Sequence, residues 1–395
     1  MLWTRKRRGR FANQPALVET LESRELLSGT TSGSEDAIFL QNQAGYWQYG
    51  TINFNGGARS FAKTDGPRFS TILDPFLGDF NGDGQSDMAG FDRGSGNWWV
   101  AESQTDGSYQ TTRWGRWLGN SNGDPSATSV DWEHIQIGDF NNDGRDDIAG
   151  LNEFGRWWIA FSNGSSFSSS TTIRTNAGIW TEVFSGDVDG DGNDDLTLRS
   201  NQGLWFFLKS TGSGFGVQYA GRWAATGWAG IAQGDFNGDG RQDVIGITEA
   251  GHWWVGESNG TQFANLYRGH WEGTAGATLY VGDFNGDGKD QPLLNSPAHM
   301  YNWRTGAAHA VSGRFYMEGG RAGAFSLGTN WEFTIGDFDG SGTDDVVGYL
   351  YGHDIRFLDG MYFMSIDGRN MSDSLEFADT FSPVRLFATG CLPVA

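Results

Sequence analysis

Short apolar runs recur along the chain, each bounded by residues that favour turns. Met88-Ala89-Gly90, Ile148-Ala149-Gly150, Val244-Ile245-Gly246 and Val346-Val347-Gly348 each leave an acidic segment and read as buried β-strands, not helices. A glycine and an aromatic run follow: Gly96-Asn97-Trp98-Trp99-Val100, Gly155-Arg156-Trp157-Trp158-Ile159, Gly203-Leu204-Trp205-Phe206-Phe207 and Gly251-His252-Trp253-Trp254-Val255. Several continue into a polar turn, such as Ser162-Asn163-Gly164 or Ser258-Asn259-Gly260, and a further Phe-bearing strand. An aromatic residue recurs before the next acidic segment: Trp117 and Trp132, Trp180, Trp223 and Trp228, Trp271, Phe315 and Trp331. One unit therefore reads strand, acidic loop, strand, glycine turn, aromatic strand, Asn-Gly turn, strand. Four short strands in about 48 residues make a propeller blade.

The acidic segment is the nonapeptide D-x-[D/N]-x-[D/S]-G-x-x-D. Its six copies start at Asp79, Asp139, Asp187, Asp235, Asp283 and Asp337, in steps of 60, 48, 48, 48 and 54 residues. A tight loop of this kind aims side-chain oxygens from positions 1, 3, 5 and 9 at one centre, and position 7 adds its backbone carbonyl. Roughly 6–8 hard oxygens around one ion suit Ca²⁺. The first loop supplies Asp79, Asn81, Asp83, Gln85 and Asp87, and the second Asp139, Asn141, Asp143, Arg145 and Asp147. The third supplies Asp187, Asp189, Asp191, Asn193 and Asp195, and the fourth Asp235, Asn237, Asp239, Arg241 and Asp243. The fifth supplies Asp283, Asn285, Asp287 and Lys289, and the sixth Asp337, Asp339, Ser341, Thr343 and Asp345. The glycine at position 6 is expected to take a left-handed backbone turn. A metal-free acidic turn competes as a reading of any single copy; six copies at regular spacing argue against it.

An EF-hand would need a bidentate Glu at position 12, and a dockerin loop an Asp. Position 12 here is Gly90, Gly150, Leu198, Gly246, Leu294 or Gly348, which excludes both. The copies are unequal. The third has four carboxylates and should bind most tightly. The fifth has Gln291 at position 9, with Asp290 one place out of register, and should be the weakest. The sixth has the poor ligand Ser341 at position 5.

The stretches Gly-Asp-Phe-Asn-Gly-Asp-Gly-x-x-Asp at 78–87 and 234–243 resemble the FG-GAP or VCBS-type repeat. That module builds the seven-bladed propeller of integrin α-subunits and occurs in many secreted bacterial proteins. The resemblance covers roughly residues 34–360. It implies an all-β, seven-bladed β-propeller of four-stranded blades, with up to six Ca²⁺ held in the acidic loops on one rim and partners usually bound on the other. The ligands it implies are those of the six loops, with Gln291 and Ser341 as departures.

A seventh aromatic hairpin, Ala37-Ile38-Phe39-Leu40 to Tyr46-Trp47, has no acidic loop before it. It is expected to complete a blade with C-terminal strands, closing the ring and removing its edges. The propeller then spans 34–395, with 360–395 giving closing strands and a tail. Adjacent strand residues face opposite ways, so Trp98/Trp99, Trp157/Trp158 and Trp253/Trp254 read as packing between blades.

Lys and Arg number 27 against 48 Asp and Glu, a net charge of −21. Residues 1–29 carry six basic and three acidic side chains, so the remainder sums to −24. Such a body argues against nucleic-acid binding. The single Cys391 leaves no intramolecular disulfide, so metal and ring closure are expected to supply the stapling. No apolar run approaches the length of a transmembrane helix. Residues 1–33 read as a separate, flexible segment. Within it Leu21-Glu22-Ser23-Arg24-Glu25-Leu26-Leu27 resembles the Leu-Glu-Pro-Arg-x-Leu-Leu signature of bacterial surface and exported proteins, with Ser23 in place of Pro. A short amphipathic helix with a basic tail is the alternative. Calcium loops of this type work best outside the cytosol, so an extracellular or cell-envelope location is expected.

Three functions remain open. The first is a non-catalytic, monomeric, calcium-stabilised interaction or adhesion module for a protein or glycan at the cell surface. The second is a carbohydrate-binding lectin, with Arg116-Trp117, Arg222-Trp223 and His270-Trp271 lining sites between blades; core packing of these tryptophans competes. The third is a polysaccharide-degrading enzyme. Against it, the six His (134, 252, 270, 299, 309 and 353) are scattered, and no catalytic triad order or acid pair stands outside the loops. Recognition is expected at loops that differ between units, such as Ser121-Asn122-Gly123-Asp124-Pro125 and Ser296-Pro297-Ala298-His299.

Overall fold

The computed structural model describes residues 38–388 apart from 43–45, 56–57, 69–72, 118–131, 177, 273–275, 297–301, 309–314, 318–321, 325–330, 338–341, 351–359, 368–369 and 379–382. The N-terminal segment 1–33, the loop 121–125, residues 297–299, Asp339, Ser341, His309, His353 and Cys391 lie outside the described residues. The described residues form strands and no helix. Among the described residues, no helix is long and apolar enough to cross a membrane.

The strands make seven antiparallel sheets. One sheet shows the unit. Trp132–Gly138, Asp147–Asn152, Arg156–Ser162 and Phe167–Arg174 pair in chain order. The acidic loop joins the first two strands, the glycine turn the second and third, and the Asn-Gly turn the third and fourth. This is the strand order read from the hydrophobic pattern. It is a meander, so every connection is short and local.

The sheets touch in chain order. Leu73–Gly78 lies against Trp132–Gly138, which lies against Trp180–Gly186. Further along, Trp228–Gly234 meets Thr278–Gly282, which meets Trp331–Gly336, which meets Pro383–Ala388. Pro383–Ala388 in turn pairs antiparallel with Ile38–Asn42, so the C-terminal strand completes the sheet of Tyr46–Asn55 and Ala58–Arg68. The series of sheets therefore closes on itself, and pairing the chain ends removes an open edge. Gly360–Asp367 and Asn370–Ala378 belong to the preceding sheet, with Trp331–Gly336 and Asp345–Leu350. A five-stranded sheet around Asn302–Ala308 is the exception to the four-stranded rule, because Ala322–Ala324 pairs beside Phe315–Met317 on one strand.

The core lies between sheets. Phe91, Trp98, Val100 and Trp117 pack against Trp132, Ile137, Ile148 and Phe167 of the next sheet. Phe140, Leu151, Trp157 and Ile159 likewise pack against Val183, Leu196, Leu208 and Phe215. Of each tryptophan pair, the first ring (Trp98, Trp157, Trp253) is fully buried, and the second is half-buried against a neighbouring sheet. Burying aromatic surface on both faces of each sheet is the main stabilising term, at roughly 25 cal/mol per Å².

The glycine at position 12 belongs to this packing. A Cβ on Gly150 would sit 2.7 Å from Trp117 and 3.3 Å from Trp132; one on Gly246 would sit 2.6 Å from Trp228 and 2.7 Å from Trp223. In these two units the tryptophan before the acidic loop and the glycine after it fill one space. Trp117 and Trp132 pack there as a tilted pair with centroids 4.4 Å apart, and Trp223 and Trp228 stack at 4.7 Å.

Candidate metal centres

Each acidic loop is built around its first aspartate. The N–H of the position 6 glycine donates to that aspartate's Oδ2 at 2.8 Å in all six: Gly84 to Asp79, Gly144 to Asp139, Gly192 to Asp187, Gly240 to Asp235, Gly288 to Asp283 and Gly342 to Asp337. These glycines have φ between +76° and +89°. The expected left-handed turn is present, and it is what turns the N–H inward. Position 5 then closes the loop: Asp83 Oδ1 accepts from Gln85 N–H, Asp143 from Arg145, Asp191 from Asn193, Asp239 from Arg241 and Asp287 from Lys289.

Position 9 carries the strongest electrostatic signal. Asp87, Asp147, Asp195 and Asp243 are buried. One oxygen of each accepts a backbone N–H from the end of the next strand: Ser103, Ser162, Ser210 and Ser258 donate at 2.8, 2.7, 2.6 and 2.7 Å. The Oδ2 atoms of Asp87, Asp147 and Asp243 are buried with no hydrogen-bond partner. Burial, reinforced by the other carboxylates of each loop, pushes Asp87 and Asp195 up to about 8 and Asp147 and Asp243 up to about 9. Burial also raises Asp79 and Asp187. A buried carboxylate oxygen without a donor is costly. A cation removes that cost by supplying opposite charge where it is missing.

The residues fit a hard cation. In the fourth loop both Asn237 Oδ1 and Asp243 Oδ2, at positions 3 and 9, are buried and unpaired. In the third loop, carboxylate oxygens of Asp187, Asp189 and Asp195 lie within 4.8 Å of one another and could hold a metal ion. Asp191 stands apart from that trio, and Lys209 Nζ reaches Asp189 Oδ2 at 2.7 Å. In the second and fourth loops the position 7 arginine pairs with position 5, Arg145 with Asp143 at 2.5 Å and Arg241 with Asp239. The first loop is exposed at Asp83 and Gln85, half-buried at Asn81 and buried at Asp87.

Position 8, outside the expected ligand set, has a clear structural role. Asp146, Asp194, Asp290 and Asp344 occupy it, and each reaches back to the preceding loop. The N–H of Asp79, Asp139, Asp235 and Asp283 donates to Oδ2 of these residues in turn, always at 2.7 Å. The position 8 N–H returns a bond to the carbonyl of the same aspartate, at 2.9–3.0 Å. Four loops are thus clamped to a neighbour by a reciprocal pair, whereas the third is held to the fourth by the Gln242 N–H alone, which donates to the Asp187 carbonyl at 2.9 Å. Asp290 is therefore not a ligand out of register, as the motif suggested, but a clamp like the others. The glycine before every loop makes room: a Cβ on Gly78, Gly138, Gly234 or Gly282 would come within 2.5–2.8 Å of the clamping Oδ2.

A second link uses the serine at the end of the aromatic strand. Ser162, Ser210 and Ser258 Oγ donate to the carbonyls of Phe80, Phe140 and Val188, at position 2 of the preceding loop. The hydroxyl of Ser103, whose preceding sheet has no acidic loop in sequence, is buried without a partner. Serine at a fixed offset from position 9 was a readable signal for this link, but its partner is 70 or more residues away.

The tryptophans proposed to line sugar sites are core residues. Trp117, Trp223 and Trp271 are buried, and Trp117 Nε1 and Trp223 Nε1 donate to Ser169 Oγ and Asn265 Oδ1 of the next sheet. Arg116 lies at the surface and bonds the Ser95 carbonyl. His134 is distinctive in a way its sequence did not show. It has φ 51°, at the point where the register of Trp132–Gly138 shifts, and burial lowers its pKa.

Comparison with known proteins agrees with this architecture. The model of the FG-GAP-like repeat matches residues 139–198, 187–246 and 235–291. A search of curated proteins finds no match. Among solved structures, an Agrocybe aegerita lectin that recognises non-reducing terminal N-acetylglucosamine superposes with TM-score 0.73 at 17% identity, covering 94% of this chain and 99% of that one. The Pseudomonas aeruginosa periplasmic gluconolactonase PpgL superposes with TM-score 0.58 at 14% identity, covering 91% and 100%. At these identities the likeness is one of fold, and both are propellers. The chain is an all-β protein of propeller-like fold that carries consecutive FG-GAP-like repeats.

Proposed function

We propose that this chain is a non-catalytic, seven-bladed propeller whose acidic loops bind Ca²⁺ and whose variable loops bind a partner outside the cell. The observation that carries the metal half is the buried, unpaired ligand oxygens, above all Asn237 Oδ1 and Asp243 Oδ2 in one loop. Oxygen-only donor sets favour calcium over softer metals. Bound calcium would cancel carboxylate repulsion in loops that the position 8 clamps already tie together, so it stabilises the ring more than any single blade. Charged side chains outside the loops are used structurally: buried Arg199 pairs with Glu182 at 2.9 Å, Arg268 with Glu257 and Arg93 with Asp74.

Carbohydrate binding is the second reading, and one feature favours it. Tyr219 and Tyr267 expose their rings on the outer strands of adjacent sheets, and Tyr267 has Trp254 and His252 beside it. Exposed aromatic faces flanked by polar groups suit sugar rings, and the lectin neighbour has the same fold. A glycan array with the wild type, Tyr267→Ala, Asp143→Ala and a deletion of residues 121–125 tests both readings. Binding lost in the 121–125 deletion and kept in Asp143→Ala supports recognition by variable loops. The reverse overturns it and points to metal-bridged capture. Loss confined to Tyr267→Ala selects the sugar site. For the metal half, an unchanged melting temperature on adding excess EGTA refutes the reading.

A further inference from the structure

The fifth loop has the same backbone as its relatives but a different centre. Asp283 anchors it in the usual way, accepting N–H from Gly286, Asp287 and Gly288. Its position 8 clamps match as well, with Asp290 bonded to Asp235 and Asp344 to Asp283. Gln291 sits at position 9, 4% exposed, where other loops bury a carboxylate. Its Nε2 donates to Asn285 Oδ1 and Asp287 Oδ1, each at 3.3 Å, and to the Lys289 carbonyl oxygen, while its Oε1 is buried without a hydrogen-bond partner. Those three oxygens belong to positions 3, 5 and 7, the set that the loop aims at its own centre.

We propose that the fifth loop needs no metal, because the Gln291 amide nitrogen stands where the other loops would hold a cation. The inference rests on the calcium reading of the other loops. Its physical basis is a change of sign. An aspartate at position 9 adds an acceptor to a ring of acceptors, which only a cation can satisfy. Glutamine is one methylene longer than asparagine and ends in two N–H donors, so it reaches the centre and supplies partial positive charge. The opposite orientation, with Oε1 inward, would face three acceptor oxygens and would require a cation between them. Amide and ion are therefore mutually exclusive occupants. The fifth loop is a covalently supplied version of the state that the others reach by binding calcium, and it keeps one joint of the ring closed when calcium falls.

The test measures calcium bound per chain by equilibrium dialysis, with the full-length wild type, Asp239→Ala in the fourth loop, Asp287→Ala in the fifth and Gln291→Asp. The proposal expects Asp239→Ala to bind one ion fewer, Asp287→Ala to match the wild type, and Gln291→Asp to bind one more. Asp287→Ala losing an ion as Asp239→Ala does would overturn it, and would mean that the amide flips to present Oε1 to the metal. A second measurement needs no calcium. In EGTA the isosteric Gln291→Glu should melt below the wild type, because a donor becomes an acceptor among acceptors. An unchanged melting temperature there also overturns the proposal. A wild type that binds no calcium sinks the calcium reading instead, and the EGTA comparison still decides the role of Gln291.

Discussion

Replacing Asp194 by alanine should loosen the joint between the second and third acidic loops. Its carboxylate is fully buried and accepts the Asp139 N–H at 2.7 Å, and Asp139 itself is 3% exposed. Truncation leaves that N–H buried without a partner, which costs about 1–3 kcal/mol, and the bond lost is of the stronger, charge-assisted kind. Removing a carboxylate from between two acidic loops offsets part of this. The reciprocal backbone bond from Asp194 N–H to the Asp139 carbonyl, 3.0 Å, survives. The expected net loss is about 2 kcal/mol, or about 3 °C in a chain longer than those for which 1 kcal/mol is worth 2–4 °C. Asp194→Asn keeps an acceptor oxygen in place and should lose about half as much. The joint is local, so amide exchange should accelerate first in residues 139–147 and 185–200, not across the ring. Calorimetric melting with hydrogen-exchange mass spectrometry reads both. Equal damage from Asn and Ala would refute the hydrogen-bond reasoning, as would an alanine variant whose 139–147 amides stay protected.

Gln242 offers a natural comparison, since its side-chain Oε1 at the same position is buried without a partner; Gln242→Ala should cost less than Asp194→Ala in the same melts. Metal-free protein should lose stability as pH rises: Asp147 and Asp243 are raised to about 9, so their favourable contribution is complete below about 4 and disappears as pH climbs through 9. Melting temperatures in EGTA from pH 5 to 9 should therefore fall, and calcium, which competes with the proton for the same oxygens, should flatten the curve; a flat curve in EGTA would contradict the burial argument. Gly240→Ala adds a Cβ into open space at φ +79° and should cost about 1 kcal/mol of backbone strain. Gly251→Ala, whose Cβ would overlap the Trp271 carbonyl, should cost more than about 3 kcal/mol by denaturant unfolding.

Much of this protein is written in local pattern. In most of the sheets each strand pairs with its chain neighbour, so short apolar runs, glycine turns and Asn-Gly turns were enough to lay out the unit around Trp132–Gly138 to Phe167–Arg174. The acidic loops were equally legible, because a nonapeptide closes on its own first aspartate and needs no distant partner. What the pattern could not reveal lies between units. Asp290 looked like a displaced ligand because a clamp and a ligand are both aspartates, and only the approach of the Asp235 N–H, 55 residues away, tells them apart. Trp117 and Trp223 looked available to a sugar until the next sheet covered them. Gln291 read as a missing charge, whereas its length and donor chemistry matter only once three loop oxygens surround it. Sequence by itself determined the repeat, the strands and the oxygen-rich loops, since those depend on contacts within one loop or between strands adjacent in the chain. Tertiary structure decided which carboxylates are buried, which are clamped and which face a centre, because desolvation and hydrogen-bond partners are set by the neighbouring sheet.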